Sequence, residues 1–215
     1  MGSFNPKSVF INCPFDSQYK TLFEAIVFAV FDCGLEPRCA LDLADGGQVR
    51  IDKIFNLIAD CQFGIHDISK TELDEVNGLP RFNMPLELGI FLGAKRFGAE
   101  AQQKKLCLIL DRERYRYQKF ISDISGQDIQ AHGDDPRTAI SLVRNWLRHL
   151  TPDVSMPGGE AMADRYQLFR AELPNLCQES KLVESQLTSL DYAWLISSWQ
   201  RAEEVRREVQ SPIAP

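Results

Sequence analysis

The sequence predicts an α/β fold built on a central parallel sheet of about five strands, and three observations predict it. Through the first two thirds of the 215 residues, short β-branched or aromatic runs alternate with helical patterns, as in a parallel sheet covered on both faces. One run, Lys104 to Asp111 (KKLCLILD), is nearly continuous in apolar residues and reads as a buried strand. Beyond a Pro- and Gly-rich stretch at Thr151 to Gly159, only helical spacing remains. Residues 1–150 are therefore expected to form an α/β domain, and residues 151–215 a linker and a helical C-terminal extension.

Each element has its own signal. Ser8 to Cys13 (SVFINC) is the first strand, followed by a loop at Pro14 to Ser17 and a helix from about Tyr19 to Cys33 that Gly34 closes. Glu36 to Asp42 (EPRCALD) is the second strand, weakened by Pro37. Gly47 to Cys61 carries apolar residues at Val49, Ile51, Ile54, Leu57 and Ile58, a helical spacing, and Gln62 to Ser69 (QFGIHDIS) is the third strand. In Asn83 to Gly89 (NMPLELG), Asn83 reads as an N-cap and Pro85 suits a first turn, so the apolar stretch to Ala94 places Glu87 in the first turn, aimed outward. Lys104 to Asp111 is strand four, Gly126 to Gly133 (GQDIQAHG) a weak fifth, and Pro136 to Leu150 a helix. In the extension, Tyr192, Trp194 and Trp199 stand at helical spacing, which predicts packing onto the main domain or onto a partner chain.

Composition removes several classes of function. The net charge of −6 argues against a primary nucleic-acid role. The six cysteines form no C-x-x-C pair and lie mostly in apolar runs, so they read as reduced core thiols of a cytoplasmic protein, with no zinc-ligand spacing. Leu22 to Phe31 is too short to span a bilayer and contains Glu24, and the first residues lack a signal-peptide core. A soluble protein with no membrane partner is expected.

In open parallel sheets, ligands bind outside the carboxyl ends of the strands. The residues there form a polar rim: Asn12, Pro14, Phe15 and Asp16, then Asp42 and Asp45, Asp67 and Ser69, Asn83 and Glu87, and Asp111 with Arg112. Carboxylates accept hydrogen bonds, so this rim suits hydroxyl-rich ligands such as ribose. Glu87 is either an acid tuned by opposed forces, helix dipole against apolar neighbours, or a surface charge that complements the dipole. There is no G-x-x-x-x-G-K-[ST] loop, no G-x-G-x-x-G and no G-x-S-x-G elbow. Ala44 to Arg50 (ADGGQVR) is either a phosphate cradle or an ordinary turn before a helix. His66 reads as a hydrogen-bonded structural histidine and Cys13 as a packed thiol. Asp111 to Phe120 (DRERYRYQKF) reads as the lip of the cleft or an interface, with Arg112 or Tyr115 within reach of a ligand.

Three separated segments, SVFINCPFD, QFGIHDIS and RFNMPLELGIFLGAKR, resemble in order and position the TIR-like and nucleoside 2-deoxyribosyltransferase-like group of flavodoxin-type domains. The resemblance covers Ser8 to Leu150 and implies a flavodoxin-like three-layer fold. It implies that Asn12 to Asp16 contact base or sugar, that Asp67 binds the ribose, and that Glu87, with Gly89 after it, is the catalytic carboxylate. Asn83-Met84-Pro85 stands where deoxyribosyltransferases show an Asp, so Asn83 and Met84 become ligand contacts and an NAD glycohydrolase-like activity is favoured over deoxyribosyl transfer. A nucleotide such as NAD would be substrate rather than resident cofactor. The same resemblance implies a setting in bacterial anti-phage defence, and the helical extension suggests a homo-oligomer. Chemically, one carboxylate on the sugar face can stabilise or capture the oxocarbenium-like state of N-glycosidic cleavage. A nucleotide-sensing module without turnover remains the alternative.

Overall fold

The computed structural model describes residues 5–42, 46–73, 78–152 and 155–210. Within it lies one parallel sheet made of β1 (Asn5–Asn12), β2 (Glu36–Arg38), β3 (Cys61–Asp67), β4 (Leu106–Asp111) and β5 (Ile129–Ala131). The strand order is β2-β1-β3-β4-β5, that of a flavodoxin-like fold, and the order reverses between β1 and β3. The second strand is shorter than its sequence signal: after Pro37 and Arg38 the chain turns into a 3-10 segment at Ala40–Asp42.

The two-residue period of the strands sorts their side chains between two cores. Val9, Ile11, Phe63, Ile65, Leu108 and Leu110 face one way, against α1 (Lys20–Asp32) and α5 (Pro136–Leu150). Phe10 faces the other way with Ile54, Leu57 and Ile58 of α2 (Arg50–Asp60) and Phe91 of α3 (Asn83–Phe97), which the short α4 (Glu100–Gln103) follows, and Cys61 joins them where α2 meets β3, ahead of the regular period. Register aligns Asn12 with His66 across β1 and β3, so their side chains emerge together on the α3 side. At the other end of β3 the α2 helix runs straight into the strand. There the buried Lys105 donates its Nζ to the carbonyls of Ile58 and Cys61 and lies 4.8 Å from the Phe91 ring centre. That position satisfies helix-end acceptors that would otherwise be orphaned.

The C-terminal helices α6 (Gly159–Glu179) and α7 (Ser189–Gln210) add a further layer outside α1 and α5. The reason lies in α1, whose residues Ala25 to Val30 are all buried. A helix apolar on every side needs cover on every side, and the sheet supplies only half. Phe28 of α1 meets the rings of Tyr166, Phe169 and Trp199 at 5.4, 5.6 and 5.9 Å. Arg165 grips Asp32 through two nitrogens, at 3.1 and 2.9 Å, and Arg170 reaches Glu24 at 2.6 Å. Tyr192 and Trp199 are thus packed within the chain, whereas Trp194 is exposed. Among the described residues, no helix is long and apolar enough to cross a membrane.

Candidate functional site

The strand-end residues form two groups, on opposite faces of the sheet. On the α1 and α5 side stands Asp67, fully buried. Its Oδ2 accepts the Tyr19 hydroxyl at 2.6 Å and its Oδ1 accepts the Ser69 N–H at 2.8 Å. His132, just beyond β5, brings Nε2 to 3.0 Å from the same Oδ2. Its Nδ1 accepts the Asp134 N–H at 2.9 Å, which fastens the ring to the turn after β5. Burial, and after it the Asp67 charge, pushes the Tyr19 phenol well above its ordinary value, so it remains a donor.

Above this cluster a crevice of about 860 Å³ opens, with Tyr19, Ser69, Lys70, Arg81, Arg112 and Asp134 among its walls. Asp16 also lines it, yet its Oδ1 already accepts the N–H groups of Gln18 and Tyr19 at 3.1 and 3.0 Å and meets Lys70 at 3.3 Å. Asp16 therefore caps the turn that starts α1, a structural task compatible with ligand contact. Arg112 pairs with Glu72, while Arg81 has no ion-pair partner among the described residues. Beside the crevice stands the buried Arg116, from the segment that the sequence read as a cleft lip or an interface. Its guanidinium reaches Asp111 at 2.8 Å, Thr71 at 2.8 Å and the carbonyl of Ile68 at 3.0 Å. Burial pushes the Asp111 carboxyl up, and hydrogen bonding from Arg116 opposes the shift.

On the α3 side, Asn12 donates Nδ2 to the Met84 carbonyl at 2.9 Å and lies 3.1 Å from His66 Nδ1. The contact fastens the start of α3 to the end of β1. His66 is wholly buried between Phe10 and Phe91, with ring centres 5.7 and 4.8 Å away, and burial followed by the Lys105 charge lowers its pKa to about 3. It is a neutral core residue, as its sequence context suggested. Cys13 is likewise a packed thiol: burial pushes it well above its ordinary value, with Asp67 next and Glu87 also contributing.

The start of α3 departs from expectation in three respects. Asn83 is the first helical residue rather than the cap; Phe82 holds that position, and no side chain caps the helix. Glu87 consequently falls in the second turn, where the dipole has largely faded. It also points inward rather than outward: Glu87 is 6% exposed and Leu88 and Phe91 are buried with it, while Leu86 faces solvent at 56%. Leu88 and Phe91 are thus the apolar neighbours buried with it, and Leu86 is not one of them. Burial pushes the Glu87 carboxyl up to about 7, against the opposing charge of Arg50 at the start of α2. Among the described residues Glu87 makes no hydrogen bond and no ion pair within 4 Å.

The single rim read from sequence is therefore divided. Asn12, Met84 and Glu87 belong together on one side, Asp67 and Asp16 on the other, with Cys13 between. Asn83 is exposed, and Pro14 and Phe15 line a separate small cavity behind the Pro14–Ser17 loop. Glu87 is not among the residues lining the larger crevice. The Asp42 side chain and Asp45 lie outside the described residues. Tyr19 and His132 were missed, although His132 follows a strand end by the rule that selected the others. Among the described residues, no group of three or more His, Cys, Asp or Glu side chains could hold a metal. No protein-family model, curated protein or solved structure matches this chain.

Proposed function

We propose that the chain binds a nucleotide at the carboxyl edge of its sheet and cleaves or transfers at the N-glycosidic bond, with NAD the leading substrate and Glu87 the acting carboxylate. One observation carries this reading: Glu87 is a buried carboxylate without hydrogen bond or ion pair among the described residues, next to the point where the strand order reverses. The other buried carboxylates among the described residues are held, Glu24 by Arg170, Asp67 by Tyr19 and Asp111 by Arg116. An unpaired buried carboxylate costs stability, which is characteristic of a group kept for chemistry.

A cationic nicotinamide riboside unit supplies the positive charge that Glu87 lacks. Its approach draws the carboxyl toward the ionised form, and the anion then faces the sugar as positive charge develops at the anomeric carbon. The nicotinamide leaves without needing a proton. Water or an acceptor hydroxyl completes the displacement, giving hydrolysis or transfer. A neutral nucleoside brings no such charge, and its base would need protonation. Purified protein incubated with NAD and a nucleoside panel is expected to release base from NAD, and Glu87→Gln to lose roughly a hundredfold or more of that rate. Inertness of both proteins, including under oligomer-promoting conditions, would overturn the reading.

A second reading, a nucleotide-sensing module without turnover, is favoured by a separate observation. The Asp67 oxygens already accept from Tyr19 and Ser69, and Glu87 stands outside the crevice lining. Calorimetric binding of NAD without product, retained in Glu87→Gln, would select it.

A further inference from the structure

The Pro14–Ser17 loop has a second side. Behind it lies a half-open cavity of about 220 Å³, bounded by α1, by Leu41 and by the start of α7. Three rings stand in its apolar wall: Phe15 and Phe23 meet edge to face at 5.5 Å and 85°, and the buried Tyr192 flanks them, while Lys20, Thr188 and Ser189 form a polar side. Leu41 and Leu187 complete the wall. A hydrocarbon-lined cavity of about 150 Å³ admits benzene, so the volume here accommodates one or two fused rings. Glu24, only 5% exposed, also lines it. Glu24 Oε2 accepts from Arg170 at 2.6 Å, and Oε1 lies 3.7 Å from the Lys20 ammonium. A carboxylate offers about four lone-pair sites, and one short hydrogen bond with one longer ion pair leaves acceptor capacity on it.

We propose that this cavity is a binding site for a flat heteroaromatic ring bearing an N–H donor directed at Glu24, and that its occupant fixes the Pro14–Ser17 loop from behind. Aromatic edges and faces select a planar ring over an aliphatic one. The carboxylate selects a donor over an acceptor, because an acceptor placed against it would leave both groups unpaired. Asp16 and Ser17 line both this cavity and the larger crevice, so an occupant presses on a wall the two share. One side of the cavity comes from Leu187 to Tyr192, which gives the C-terminal extension a part in ligand binding as well as in packing. The site is distinct from Glu87, and the proposal stands whatever the activity of that residue.

Titration of the full chain with indole and with 1-methylindole, followed by amide NMR shifts, tests the proposal. Indole is expected to bind saturably at one site and to move the Asp16 and Ser17 amides. The 1-methyl compound, which has no N–H, is expected to bind at least about fivefold more weakly, the effect of one lost hydrogen bond. Leu41 is 47% exposed, so Leu41→Trp fills the cavity from its open rim with the fold retained, checked by circular dichroism, and is expected to abolish the shifts. Leu187→Trp is a second filling variant should the first not fold. Absence of saturable binding, equal binding of the two indoles, or binding that survives both filled variants would overturn it.

Discussion

Tyr19 donates its hydroxyl to Asp67 across 2.6 Å, and this bond ties the first turn of α1 to the end of β3 beneath the crevice. It also occupies one of the two Asp67 oxygens. Tyr19→Phe leaves that buried oxygen with only the neighbouring His132, so the variant is expected to lose about 1–3 kcal/mol of stability in urea denaturation. If Asp67 contacts a sugar, the same change frees it and lowers KM for NAD; a KM unchanged with the stability loss would assign Asp67 to structure alone.

Glu87 and His66 give stability opposite slopes with pH. A Glu87 pKa of about 7 in the folded chain, against 4.5 in the unfolded, means that the folded chain holds a proton which the unfolded chain has already released between those values. Stability from this group therefore falls as pH rises from about 4.5 to about 7. Glu87→Gln is expected to flatten that slope and to stabilise the chain above pH 7 by on the order of 2–3 kcal/mol. Thermal melts across pH 4 to 8 read both. If activity needs the anion, kcat/KM of the parent protein rises through the same window.

His66 acts in the reverse sense. Its pKa falls from 6.5 to about 3 on folding, so below 6.5 the unfolded chain takes up a proton that the folded chain refuses. Stability is lost as pH falls from about 6.5 toward 3. His66→Asn is expected to reduce that acid-side slope, whatever it does to the level. A denaturation series with an unchanged slope would refute the neutral, buried assignment.

Gly89 follows Glu87 by two residues and sits inside α3, where an added Cβ meets nothing within 4 Å. A helical glycine with room for a methyl group is a standing cost, so Gly89→Ala is expected to stabilise by about 0.5–1 kcal/mol. If a ligand approaches the helix beside Glu87, the same variant raises KM while it raises the melting temperature. A gain in stability with activity untouched would detach Gly89 from the site.

Trp199 is 1% exposed, packed on Phe28 and Phe169, and lies under the Arg165 guanidinium at 5.3 Å. Trp199→Ala is expected to cost about 3–5 kcal/mol. Ending the chain after Leu150 bares the outer face of α1, and cooperative unfolding should be lost. A truncated chain that still melts cooperatively would show that α6 and α7 are dispensable to the core.

What depends on neighbours along the chain was legible in the sequence. Strand and helix periodicity and the alternation that dictates a parallel sheet are local patterns, and they set Asn12 and Asp67 at strand ends and Glu87 on the helix that follows β3. The sequence even held the reason for the outer helical layer, since a helix as uniformly apolar as Ala25 to Val30 announces that something covers its second side. Tertiary structure decided what depends on rotation and register. The start of α3 at Asn83 put Glu87 in the second turn, and the way the helix packs buries Glu87 and leaves Leu86 to solvent. Strand parity put Asp67 and Asn12 on opposite faces, and the hydroxyl that engages Asp67 came from Tyr19, 48 residues away. A pKa near 7 at Glu87 is likewise a property of what surrounds the carboxyl in space, because burial is the sum of contacts from distant segments that no local spacing encodes.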